Sequence, residues 1–125
     1  MTTVHPAAPH EGIAVVRFPP EVDLVSAAPL RDELLAAMTR EGAHLVVDAL
    51  DVTFMDSSGV NTLVRARERA ERLGGSLHVV STAPAVTRVL QITQLDRRLG
   101  LVASLEEAFR CLGHPATVHT CSPGR

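Results

Sequence analysis

The chain has 125 residues and a mass of 13.4 kDa, one domain's worth, and folding at that size hides roughly two-thirds of the unfolded surface, enough for one ordinary core. With 46% hydrophobic and 21% charged residues it reads as a globular protein, and a formal net charge of −2 excludes a strong basic field for nucleic acid or an anionic membrane. Its only aromatic residues are Phe18, Phe54 and Phe109, too few for base-stacking platforms, and no apolar run approaches the roughly 20 residues that span a bilayer.

Residues 1–12 are polar, Pro-containing and aperiodic, which predicts a flexible arm. They have neither the basic start nor the apolar stretch of a secretory signal. Ile13 to Phe18 is a short run rich in β-branched residues that stops at Pro19-Pro20, as a strand does. From Ser26 to Arg40 the apolar positions Ala27, Leu30, Leu34, Ala37 and Met38 recur every three or four residues, which predicts an amphipathic helix. Ser26 or a neighbour serves as its N-cap, Pro29 then falls in the first turn, and Gly42 is the stop signal.

Leu45 to Leu50 is a second strand whose continuous apolar start fits burial on both faces of a parallel sheet. After Asp51 to Gly59, a second helix carries Val60, Leu63, Val64, Ala70 and Leu73 on one face. Arg65, Arg69, Arg72, Glu68 and Glu71 lie largely away from that face, and Gly74-Gly75 ends the helix. Leu77 to Val80 is the third strand, and Pro84 opens a third helix with Val86, Val89 and Leu90 inward. Leu101-Val102 reads as a short last strand. Ser104-Leu105-Glu106-Glu107 is a capping box that opens a last helix bearing Leu105, Ala108, Phe109 and Leu112. Residues 113–125 lack periodicity and read as a flexible tail. The alternation of strands and helices predicts an α/β domain over residues 13–112, with a mostly parallel sheet of about four to five strands and about four helices.

Motifs for catalysis and cofactors are sparse. No Gly-rich phosphate loop and no G-x-S-x-G elbow is present. His44 and His78 flank or enter strands and read as packing or surface residues. Cys111, His114, His119 and Cys121 offer potential zinc ligands, but their spacing is not that of a structural site and Pro115 stiffens the segment, so no metal is expected. The two cysteines read as reduced thiols of a cytoplasmic protein. All twelve basic residues are Arg, which reads as codon bias rather than a demand of the fold.

Asp51 to Gly59 is the informative segment. It joins a buried strand to a helix, and in a parallel α/β sheet that turn lies where function concentrates. Asp56 and Ser57 sit at or beside the helix N-cap, which capping alone explains. A serine hydroxyl there is also placed for phosphate, because free N–H groups and the helix dipole favour an anion by about 0.3–1 kcal/mol. A phosphate would add about −1.5 to −2 charges next to Asp56 and repel a docked partner without unfolding the domain.

The stretch Val52-Thr53-Phe54-Met55-Asp56-Ser57-Ser58-Gly59-Val60 resembles the hydrophobic strand end and Asp-Ser-Ser-Gly motif of STAS domains, specifically bacterial anti-sigma factor antagonists. The resemblance runs from about Ile13 to Leu112. Glu21-Val22-Asp23, Leu73-Gly74-Gly75 and Ala83-Pro84-Ala85-Val86 support it. Pro20 departs from it, standing where family members often carry Gly.

The resemblance implies a partner-switching regulator of the bacterial stress response. Unphosphorylated, it binds an anti-sigma factor that is also a serine kinase, and so frees the sigma factor for transcription. Phosphorylation on the first motif serine, Ser57, releases it, and a metal-dependent serine phosphatase resets it. Asp56, Ser58 and Gly59 would shape the partner-binding site with Asp23 nearby. The kinase brings ATP and Mg²⁺, so no cofactor is expected, nor nucleic acid or membrane as partner, and the chain reads as a monomer. Two other readings stand beside this one. One is a STAS scaffold or small-ligand module outside sigma control. The other is an enzyme with Ser57 or Ser58 as nucleophile, which would require a histidine base in reach.

Overall fold

The computed structural model describes residues 4–5, 13–41 and 44–112, with side chains over 13–38 and 44–112. In chain order the elements are β1 (Val4–His5), β2 (Ile13–Arg17), β3 (Glu21–Val22), α1 (Leu24–Glu41), β4 (His44–Asp48), β5 (Phe54–Met55), α2 (Ser57–Arg72), β6 (Ser76–Val80), α3 (Pro84–Ile92) and α4 (Leu105–Leu112). The main sheet has the order β1-β2-β4-β6. Its last three strands are parallel, in the register Val15↔Val46 and Val46↔His78. β3 and β5 form a separate parallel pair.

Alternation along the strands explains the layers. Ala14 and Val16 of β2, Leu45 and Val47 of β4, and Leu77 and Val79 of β6 point to one face, where they meet Leu30 and Leu34 of α1, Leu63 and Ala66 of α2, and Leu90 of α3. Ile13, Val15, Val46 and Val80 point to the other face and are covered by Ala108 and Cys111 of α4. β4 is thus buried on both sides, as its apolar run suggested. Because β2, β4 and β6 are neighbours in chain order, crossovers of one hand place α1 and α2 side by side on one face.

Local chemistry sets the boundaries. Gly74 takes a positive φ of 84° after α2, and the Gly75 N–H bonds the Ala70 carbonyl at 2.7 Å, closing the helix end. Ser104 accepts from the Glu107 N–H at 3.1 Å, while the Glu107 carboxylate reaches back to the Ala103 N–H at 3.2 Å, one residue further than the motif implies.

The structure corrects several expectations. Val4–His5 pairs antiparallel with Val15 and Val16, so the segment expected as a flexible arm contributes a strand. Valine in a stretch too short to show alternation finds a partner in the edge of β2. β3 was not foreseen for the same reason, being two residues long, whereas β5 falls on the strand end that the motif resemblance implies. Leu101-Val102 provides one bridge, Val80↔Val102, rather than a strand. α1 begins at Leu24, not beyond Ser26, so Pro29 lies inside the helix with its ring exposed, and the Val25 carbonyl goes without the i+4 donor an ordinary residue would supply. Cys111 is disulfide-bonded, where reduced thiols were expected. Gly42, residues 113–125 and the tail ligands His114, His119 and Cys121 lie outside the described residues.

Candidate functional site

Two helices start next to each other because two short strands are paired. Val22 of β3 is in register with Met55 of β5, and the next residues in each chain segment are Asp23 and Asp56. Both aspartates are helix caps. Asp23 Oδ1 accepts from the N–H groups of Val25 and Ser26 at 3.0 and 3.1 Å. Asp56 Oδ1 accepts from the Ser58 N–H at 2.9 Å, with φ −101° and ψ −170° at the cap. The sequence thus places the capping aspartate of α2 correctly, whereas in α1 the cap is Asp23 and Ser26 is its partner three residues on.

Pro20 does not disturb this arrangement. Its carbonyl accepts from the Thr53 N–H at 2.7 Å and the Phe54 N–H at 3.2 Å, and from the Thr53 hydroxyl at 3.2 Å. A proline needs only its carbonyl for that role, so the strand pair that brings Asp23 to Asp56 forms without a glycine.

Ser57 is the first residue of α2 and is exposed. Its hydroxyl makes no hydrogen bond among the described residues. Ser58 is half-buried, and its carbonyl accepts from the Thr62 hydroxyl at 2.9 Å. Gly59 is buried. A Cβ there would lie 2.7 Å from Met55 Cγ and 2.8 Å from Val22 Cγ1, inside contact distance. Its lack of a side chain lets the first turn of α2 sit on β3 and β5, so Gly59 holds Ser57 in place from below. Asp23, Asp56, Ser57 and Ser58 are therefore brought together, with Gly59 beneath them.

Around this turn lies an apolar rim that sequence reasoning missed. Leu24 is 76% exposed, Val25 84% and Phe54 50%. The signal was present: Leu24 and Val25 directly follow the capping Asp23, off the inward stripe of α1. Large exposed apolar side chains grouped beside polar groups mark contact surfaces.

His44 and His78 are engaged elsewhere. His44 bonds Ser76 at 3.1 Å where β4 and β6 begin. His78 is buried in β6, with Nδ1 3.1 Å from the Gly100 carbonyl oxygen. Burial pushes its pKa below the ordinary 6.5; the Gly100 carbonyl opposes that, and His44 and Arg67 add to it. Among the described residues no group of three His, Cys, Asp or Glu is placed to hold a metal ion, and no helix is long and apolar enough to cross a membrane.

Comparison with known proteins agrees with this architecture. Residues 6–108 match the STAS domain family. The anti-sigma-B factor antagonist of Bacillus subtilis is 31% identical over 86 residues, covering 69% of this chain and 78% of that protein. The anti-sigma-F factor antagonist RsfB of Mycobacterium tuberculosis is 29% identical over 104 residues, covering 82% of this chain and 83% of that one. A crystal structure of an anti-sigma factor antagonist from Mycobacterium paratuberculosis superposes with a TM-score of 0.79 at 29% identity, over 90% of this chain and 93% of that one. A parallel sheet with α1–α3 on one face, an Asp-Ser-Ser-Gly turn opening α2 and these likenesses together make the chain a member of the STAS domain family, with relatives that are anti-sigma factor antagonists.

Proposed function

We propose that the chain is an anti-sigma factor antagonist that switches partners through phosphorylation of Ser57. Unphosphorylated, it binds an anti-sigma factor serine kinase through Asp23, Asp56, Ser57 and Ser58 and the apolar rim of Leu24, Val25 and Phe54. A metal-dependent serine phosphatase restores the binding form. The observation that carries this reading is the exposed, unbonded Ser57 hydroxyl at the first position of a helix, directly after the capping Asp56 and on a turn that strand pairing brings beside Asp23.

The physics supports a switch with two opposed effects. The α2 N-terminus favours a phosphate on Ser57 by about 0.3–1 kcal/mol, so the modified chain stays folded. The same phosphate places about −1.5 to −2 charges beside Asp56 and Asp23, on the face a partner covers. Weakening that complex a hundredfold takes only about 2.7 kcal/mol.

The test is incubation with ATP, Mg²⁺ and anti-sigma kinases from the same organism, read by intact mass and phosphopeptide mapping. One phosphate on Ser57 is expected, and Ser57→Ala is expected to bind the kinase without release by ATP. If Ser57→Ala gains phosphate at the normal rate, the site moves to Ser58. If no kinase modifies or binds the folded chain, the scaffold or ligand-binding reading replaces this one.

A further inference from the structure

We propose that the groove between α1 and α2 is a docking strip for an acidic, amphipathic segment of the protein that binds over Ser57. The identity of that protein rests on the reading above; the chemistry of the strip does not. The groove starts beside Ser58, with Leu24 and Ala27 as apolar wall, and continues past Leu35 and Ala66. Arg31 and Arg65 line both stretches, and Arg69 and Arg72 line the far one. Each stretch holds about 180–190 Å³, below the roughly 300–1,000 Å³ of a small-molecule pocket. That is room for individual side chains from a segment laid along the groove.

The charges are sorted. Arg65, Arg69 and Arg72 follow one another at helical spacing and are all exposed. The carboxylates of the same helix are engaged by other arginines: Glu71 pairs with Arg67 at 2.7 Å and Glu68 with Arg98 at 3.6 Å. Among the described residues Arg31 has only Asp32 as an ion-pair partner, at 4.0 Å. Among the described residues the side chains of Arg65, Arg69 and Arg72 have no ion pair or hydrogen bond. Like charges one turn apart repel, so an external carboxylate gains twice, from its own contact and from relief of that repulsion. Planar guanidinium groups take carboxylates in paired hydrogen bonds, and the apolar floor takes the apolar side chains of the same segment. A nucleic acid fits less well, because the chain's net charge is −2 and none of its three Phe lines the groove.

The experiment titrates the full isotope-labelled chain, unphosphorylated, with a short synthetic peptide carrying Glu and Leu at helical spacing, followed by NMR. Expected are shifts along α1 and α2 that include the side chains of Arg65, Arg69 and Arg72. The Arg65→Gln/Arg69→Gln variant, checked for an unchanged melting curve, should bind the peptide about tenfold more weakly at low salt. Equal binding of a peptide with Gln in place of Glu overturns the proposal. So does unchanged binding by the variant, or tighter binding of a single-stranded oligonucleotide to the same arginines. The titration needs no kinase, so peptide binding without any phosphorylation of Ser57 leaves the strip standing and removes only the partner-switch reading.

Discussion

The starts of α1 and α2 are built on one plan and finished differently. Aligned on their caps, Asp23-Leu24-Val25-Ser26 stands beside Asp56-Ser57-Ser58-Gly59. In α1 the fourth residue closes the box: the Ser26 hydroxyl oxygen accepts from the Asp23 N–H at 3.0 Å while Asp23 caps Ser26. In α2 the fourth residue has no side chain, and the Asp56 N–H is satisfied instead by the Val22 carbonyl of β3, at 3.2 Å. One start is closed by its own side chains and exposes apolar groups at its first two positions. The other is closed by its neighbour and exposes a serine hydroxyl. The difference teaches that two helix starts can share a capping aspartate and still present opposite surfaces, one apolar and one hydroxylic.

The comparison breaks most sharply at Gly59. Gly59→Ala forces a Cβ into Met55 and Val22 and is expected to cost about 1–3 kcal/mol, read by denaturant unfolding. An unchanged midpoint would mean the close approach is not needed. Asp23→Ala and Asp56→Ala come next, each expected to cost about 1 kcal/mol through loss of a cap, with the larger loss at Asp23, whose box is reciprocal. Equal losses would remove the distinction between the two starts.

A pH series acts on the sheet below through His78. Burial holds His78 neutral in the folded chain, while the unfolded imidazole takes up a proton below about 6.5. Stability present above that pH is therefore lost on acidification below it, by at most about 1.4 kcal/mol per pH unit. His78→Asn is expected to flatten that slope in thermal melts. The smallest effect is at α3, whose N-cap is Ala83 with no side-chain bond. Ala83→Asp supplies the missing cap and is expected to add about 0.5 kcal/mol. No gain there would show that the capping residue matters less than the backbone around it.

The long elements were legible because their burial is periodic or continuous. The inward residues of α1 and α2, and the doubly buried Val46-Val47, announce themselves. The site was legible as a motif, Asp56 to Gly59, but its neighbourhood was not. β3 and β5 are two residues each and carry no period, so the pairing that delivers Asp23 has no local signal. The start of α1 was misplaced because Ser26 and Asp23 are both good caps and Pro29 drew the boundary toward itself. Arg65, Arg69 and Arg72 were visible as a face turned from the core. Only the structure puts Arg31 across from them, because side-by-side helices depend on strand order.

The Pro19-Pro20 approach to β3 also bears on self-association. Exposed apolar side chains and an unpaired strand edge become hazardous together, since a second chain can use one for adhesion and the other for backbone pairing. Here Leu24, Val25 and Phe54 are exposed, but the strand beside them is two residues long and follows two residues that lack a backbone donor. A visiting strand has little ladder to extend. A partner docking at this surface would be selected by its side chains, because the apolar patch offers adhesion with little template for backbone pairing.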